Sequence, residues 1–278
     1  MDPKSIRELT QKANHVRQHV LEMIHAAGSG HPGGSLSAVD FTVALYCNHL
    51  RFKPEDPKWE DRDRVYWSKG HIAPLIYAIN HEVGYIPESE LCTLRQLGSP
   101  LQGHPAADKC SCLEVSSGSL GQGLSIAVGA AIGLRMDKTP ARVYCVMGDG
   151  EQNEGQIWES AMAAGHFKLD NLCAVLDLNG LQIDGFTEDV MNIEPVAEKY
   201  RAFNWNVIEL DGHDMQQCVD AFEQAKAHKG APTVLVATTV KGKGVSFMED
   251  VAGWHGKCPS DEELQIALSE LRQEAASL

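Results

Sequence analysis

Asp149 and Asn179 are the residues whose types and spacing most directly promise chemistry. Each stands just past an apolar run: Val143–Met147 stops at Gly148-Asp149-Gly150, and Leu172–Leu178 stops at Asn179-Gly180. A carboxylate, an amide oxygen and the main-chain carbonyl of Leu181 supply part of the oxygen shell that magnesium prefers, the rest coming from phosphate and water. A second carboxylate in direct contact would repel that phosphate. Gly148 and Gly150 have no Cβ to bar its approach. The chemistry implied is the seating of a metal diphosphate, with Mg2+ as the metal and Ca2+ or Mn2+ as substitutes. A P-loop is disfavoured, because no Gly-Lys-Ser/Thr follows.

Histidine gives a second signal. Among the twelve, several lie beside glycine where an element is predicted to end: Gly30-His31-Pro32, Gly70-His71, Gly103-His104-Pro105, Gly165-His166, Gly212-His213 and His255-Gly256. No two of His31, His71, His104 and His255 share the short spacing of a zinc site. Imidazoles neutral near pH 7 suit proton transfer to and from the hydroxyl and carbonyl groups of a polar substrate such as a sugar. His15, His19 and His25 read as surface or packing residues.

Such residues need elements to position them. Val143–Met147 and Leu172–Leu178 read as buried parallel strands, and Ile157, Ala161, Ala164 and Phe167 recur between them at helical spacing. A right-handed crossover brings both strand ends to one sheet edge, where such folds bind ligands. The helix beginning near Glu154 directs its positive end to that edge. Further helices are expected over 4–27, from Ser35, and over 72–83, 88–94, 194–203 and 215–228, with strands over 64–68, 205–210 and 233–239. Leu124–Met136 is apolar nearly all round and is expected to be buried. Residues 86–115 read as a long functional loop. The pattern predicts one α/β domain over 1–278, a doubly wound, mostly parallel sheet with helices on both faces and a tail helix at about 260–277.

Composition narrows the function. A formal charge of -14 argues against nucleic acid or an anionic membrane as partner. The N-terminus is polar and no apolar run approaches a membrane span, so the expected address is the cytoplasm. Eight cysteines without a CxxC read as reduced structural thiols, and Cys110-Ser-Cys112 makes a poor zinc site.

Gly148-Asp149-Gly150 after one strand, with Asn179 after another, resembles the signature of thiamine-diphosphate enzymes. Together with Ser29-Gly-His31-Pro-Gly, Lys69-Gly-His71, Gly103-His104-Pro, Ser117-Gly118-Ser-Leu120-Gly-Gln-Gly, Glu154-Gly, Asn179-Gly-Leu-Gln-Ile-Asp-Gly185 and Trp254-His255-Gly, it makes the chain similar throughout to the N-terminal, diphosphate-binding half of transketolase. The resemblance implies the thiamine-diphosphate-binding fold of the diphosphate-binding type, with Asp149, Asn179 and the Leu181 carbonyl on the metal. It places His71, Gly150, Glu151, Lys241 and His255 near the diphosphate, and Gly118, Leu120 and Ile183 along the cofactor. His31, His71, His104, His255 and Glu154 are the catalytic candidates, Glu154 through an acidic network across a subunit interface. Ser119 stands where the family usually has proline.

The family's activating glutamate, aromatic clamp and phosphate-gripping cations belong to a second, pyrimidine-binding domain, and no glutamate here falls in a matching motif. The expectation is therefore a split enzyme: this chain, a separate C-terminal transketolase subunit, and an α2β2 heterotetramer acting on sugars or sugar phosphates. The rival readings are a subunit resembling 1-deoxyxylulose-5-phosphate synthase, the α subunit of a 2-oxo-acid dehydrogenase, and a non-catalytic binding protein.

Overall fold

Strands in the computed structural model, which describes residues 3–278, are β1 (Arg64–Trp67), β2 (Val143–Gly148), β3 (Leu172–Leu178), β4 (Leu181–Gln182), β5 (Gly185–Phe186), β6 (Asn206–Asp211) and β7 (Thr233–Thr238). Five of them form one parallel sheet in the order β1-β2-β3-β7-β6, and β4 and β5 make a separate antiparallel hairpin. The helices are α1 (Pro3–Ala27), α2 (Pro32–Ser37), α3 (Val39–Ala44), α4 (Ala73–Glu82), α5 (Glu88–Leu91), α6 (Gln122–Met136), α7 (Gly155–His166), α8 (Thr187–Val190), α9 (Val196–Ala202), α10 (Met215–Ala227) and α11 (Asp261–Ser277). Among the described residues no helix is long and apolar enough to cross a membrane.

Alternation along the central strands explains the layers. Tyr144, Val146, Cys173, Val175, Leu235 and Ala237 join the core shared with α1, α3, α4, α10 and α11. Val143, Cys145, Met147, Leu172, Ala174, Leu176, Val234 and Val236 join the opposite core, with α6, α7 and α9. Successive side chains of a strand point to opposite faces, so strands apolar throughout bury both. The sheet is thus wound with helices on both sides.

Several elements differ from expectation. The helix expected from Ser35 starts at Pro32, whose fixed φ suits a first turn, and breaks at Ala38 into α2 and α3. The helix expected over 88–94 is only α5, and the rest of 86–115 is turns. The hairpin β4–β5 and helix α8 had no counterpart in the sequence reading. Helix α6 is only half-buried: Leu124, Ala127, Val128 and Ala131 face the core, while Ile126 and Met136 are exposed. Uniformly apolar composition cannot show which side of a helix is covered. Helix α11 begins with a reciprocal capping box between Ser260 and Glu263 and packs along α1.

Candidate active site

Four neighbouring strands deliver the site from their C-terminal ends. Beyond β1 come Ser68, Lys69 and His71, beyond β2 Asp149 and Gly150, beyond β3 Asn179, and beyond β7 Thr239 and Lys241. Gly148 and Asp177 are level in the sheet, which sets Asp149 beside the turn after β3. One carboxylate oxygen of Asp149 accepts from the N–H groups of Asn179 at 3.0 Å and Gly180 at 2.7 Å, and the other from Gly150 N–H at 2.7 Å. The Asn179 amide is turned by two contacts: its Nδ2 donates to Asp177 at 3.1 Å and its Oδ1 accepts from Leu181 N–H at 3.2 Å.

A cavity of about 300 Å³ opens over this turn. It gathers His31, His71, His104 and His255, then Gly118 and Leu120, then Asp149, Gly150 and Glu151, then Asn179, Leu181 and Ile183, and Lys241. Of the site residues singled out from sequence, Glu154 alone lies outside its lining. Glu154 is exposed ahead of α7, its stem against Gly121. Glu151, expected on the cofactor, spends its buried carboxylate as a brace, accepting from Ser68 Oγ, from Gly121 N–H at 2.7 Å and from Gly148 N–H at 2.9 Å. Three loops of the cavity floor are tied by that one side chain. Helix α7 begins at Gly155 with Glu154 as its N-cap, after a 3₁₀ turn over Gly150–Asn153 that Asp149 caps.

The electrostatics keep the imidazoles neutral. Burial, then the charges of Arg95, His104 and Lys241, lower His31 to about 4. Burial and Lys241 lower His255 to about 3. His71 falls well below its ordinary value through burial and Lys69, and His104 is lowered by burial and Arg95. The rings lie close, with centroid separations of 5.5 Å for His31–His71 and His31–His255 and 5.3 Å for His71–His255. Buried Nδ1 of His31 has no hydrogen-bond partner. Lys241 Nζ donates to the Leu181 carbonyl at 3.0 Å and lies 3.0 Å from His255 Nδ1. Its pKa is lowered to about 8 by burial, with Asp149 working against that shift.

This donor set fits a hard, oxygen-seeking cation. Asp149, Asn179 and Leu181 bring a carboxylate, an amide oxygen and a carbonyl to the lining of one cavity, and the carbonyl already attracts a cation, the Lys241 ammonium. The adjoining cradle fits an anion. A Cβ on Gly150 would stand 3.1 Å from Gln182, so a side chain there would crowd the cavity. The open side is equally informative: Ile183 is 69% exposed at the hairpin tip, and Gly118 and Ser119 are exposed.

The model of the family described as transketolase, thiamine diphosphate binding domain, matches residues 9–276. The chain belongs to the transketolase family. It is 42% identical over 269 residues to the 6-deoxy-6-sulfo-D-fructose transketolase subunit of a Clostridium strain, covering 97% of this chain and 98% of that one. Against an apulose-4-phosphate transketolase subunit of Phocaeicola vulgatus it is 40% identical, covering 98% and 95%. Campylobacter jejuni transketolase superposes with a TM-score of 0.91 at 32% identity, over 99% of this chain and 43% of that one. This transketolase chain thus spans nearly the whole of two curated subunits and less than half of the longer enzyme.

Sequence reasoning missed a buried group beside Asn179. Asp177 accepts from Lys69 Nζ, from Ser37 Oγ at 2.6 Å and from Thr239 Oγ1 as well as from Asn179. Burial alone would raise its pKa, but Lys69 and these donors outweigh burial and hold it below the ordinary value. A usable signal existed, since a charged residue inside an otherwise apolar strand must have a partner. Arg95, within the 86–115 loop, was also missed, and nothing in its neighbours marks it.

Proposed function

We propose that this chain is the cofactor-binding subunit of a two-polypeptide transketolase, completed by a separate pyrimidine-binding subunit in an α2β2 assembly in the cytoplasm. The whole chain acts as one diphosphate-binding domain. Its reaction moves a two-carbon ketol unit from a ketose or ketose phosphate to an aldose. The observation that carries this reading is that Asp149, Asn179 and Leu181 line one cavity with His31, His71, His104 and His255. Two relatives that match end to end are themselves named as transketolase subunits.

In this reading Asp149, Asn179 and the Leu181 carbonyl hold Mg2+, while His71, Gly150, Lys241 and His255 surround the diphosphate. Gly118, Leu120 and Ile183 lie along the rest of the cofactor. Thiamine diphosphate, when bound, supplies the carbon that takes up and releases the ketol unit. His31 and His104 work at the substrate hydroxyl and carbonyl. As neutral rings they have a nitrogen lone pair free to accept a proton, and burial, which disfavours the charged ring, makes them return it readily. Glu154, exposed at the start of α7, would contribute across a subunit contact in this reading.

Assay of the purified chain alone is expected to show no ketol transfer, and the complex with the pyrimidine-binding subunit is expected to turn over. Robust turnover by the chain alone overturns the split reading. Offering the complex a ketose phosphate or pyruvate as donor separates transketolase from the pyruvate-using enzymes of the same cofactor.

A further inference from the structure

Outside the cavity wall, Arg95 joins the two turns that carry the channel histidines. Its backbone sits at φ 61°, a left-handed conformation uncommon for a residue with a side chain, and its N–H donates to Leu101 O at 2.9 Å, closing the loop between them. From there the guanidinium reaches both turns. Nη1 donates to Ser29 Oγ at 3.0 Å and Nη2 to the Gly103 carbonyl at 3.4 Å. The plane of the group lies against Gly103, where a built Cβ would come within 2.9 Å of Cζ. Ser29 is two residues before His31, and Gly103 immediately precedes His104. The two rings stand 6.0 Å apart between centroids.

We propose that Arg95 is a positioning residue for ketol transfer, its planar fork tying the Ser29–His31 and Gly103–His104 turns at a fixed separation. This rests on the proposed transketolase reading of the cavity. A lysine would preserve the charge but not the fork, since one ammonium on a flexible stem cannot brace two turns in the same plane. Charge adds a second effect. His31 faces Arg95, His104, Lys241 and the rings of His71 and His255, whereas His104 faces Arg95 and His31. Removing the guanidinium therefore raises the proton affinity of both histidines, with the larger share of its cationic surroundings lost at His104.

The test compares Arg95→Gln and Arg95→Lys in the full chain, following histidine titrations by NMR of ring-labelled protein. Steady-state rates against pH are measured in the complex with the pyrimidine-binding subunit. Arg95→Gln is expected to move the His31 and His104 midpoints upward and carry the acid limb of kcat/KM to higher pH. It is also expected to lower kcat by about 10-fold to 100-fold with little change in KM, the scale of loss from misplaced reacting groups. Arg95→Lys is expected to keep both midpoints near wild type yet recover only part of kcat. Unchanged midpoints and a kcat within twofold for Arg95→Gln overturn the proposal. Should that variant fail to fold by circular dichroism, Arg95→Lys decides, and wild-type kcat in it removes the fork. Absence of ketol transfer in the wild-type complex would instead refute the function, and the NMR titrations would still report on the clamp.

Discussion

Asp177 shows what a single buried charge does at this site. It sits fully buried near the end of β3, and its carboxylate serves two tasks, neutralising Lys69 and fixing which end of the Asn179 amide faces Leu181. Breaking such a pair leaves an uncompensated charge, so Asp177→Ala is expected to cost about 3–5 kcal/mol in urea unfolding. Adding Lys69→Met should restore a large part of that stability; no recovery would show the pair is not the source. The histidines predict a pH effect. Unfolded histidine binds a proton near 6.5, whereas His31 resists until about 4 and His255 until about 3. Between those values the unfolded chain holds more protons, so stability is lost as pH falls below 6.5 and regained as it rises. The chain's Tm is expected to drop on the order of 5 °C from this source between pH 6.5 and 4, and His31→Asn with His255→Asn should flatten the slope. Asp149 and Asn179 were legible in the sequence because each ends an apolar run. Arg95 and the bracing role of Glu151 were not, because their partners sit on loops that only folding brings near, Ser29 being 66 residues from Arg95 and Ser68 83 from Glu151.

At the scale of elements, strands β2 and β3 and their crossover could be read because a continuous apolar run bounded by glycine or asparagine has few other meanings. The hairpin β4–β5 could not. Its strands are two residues each, too short to show alternation, yet it carries Leu181 and Ile183 over the cavity. Helix α6 was recognised as a helix but its exposed side was invisible. Gly129 and Gly133 stand in its interior with nothing within 4 Å of a Cβ built on either. Glycine in a helix interior costs roughly 0.5–1 kcal/mol relative to alanine. Gly129→Ala with Gly133→Ala is therefore expected to raise the Tm of the isolated chain by about 2–4 °C. A fall in Tm would mean that those positions meet something within the chain after all.

On the scale of the whole molecule, the parallel sheet with both faces covered followed from strand and helix order, which the βαβ handedness rule constrains tightly. What composition could not reveal is how much apolar surface stays uncovered. Ile126 and Met136 on α6, Met162 on α7, Phe167 just beyond it, and Ile183 and Phe186 around the hairpin all stand open to solvent. Helices α6 and α7 lie side by side, Gln122 bonded to Gln156 at one end and Arg135 to the Phe167 carbonyl at the other, so four of those side chains belong to one layer. A cell that translated this polypeptide faster than whatever shields that layer would be offering its chaperones and proteases the kind of surface they read as damage. Matched synthesis would then be part of keeping the catalyst in stock, and surplus copies would be cleared instead of stored.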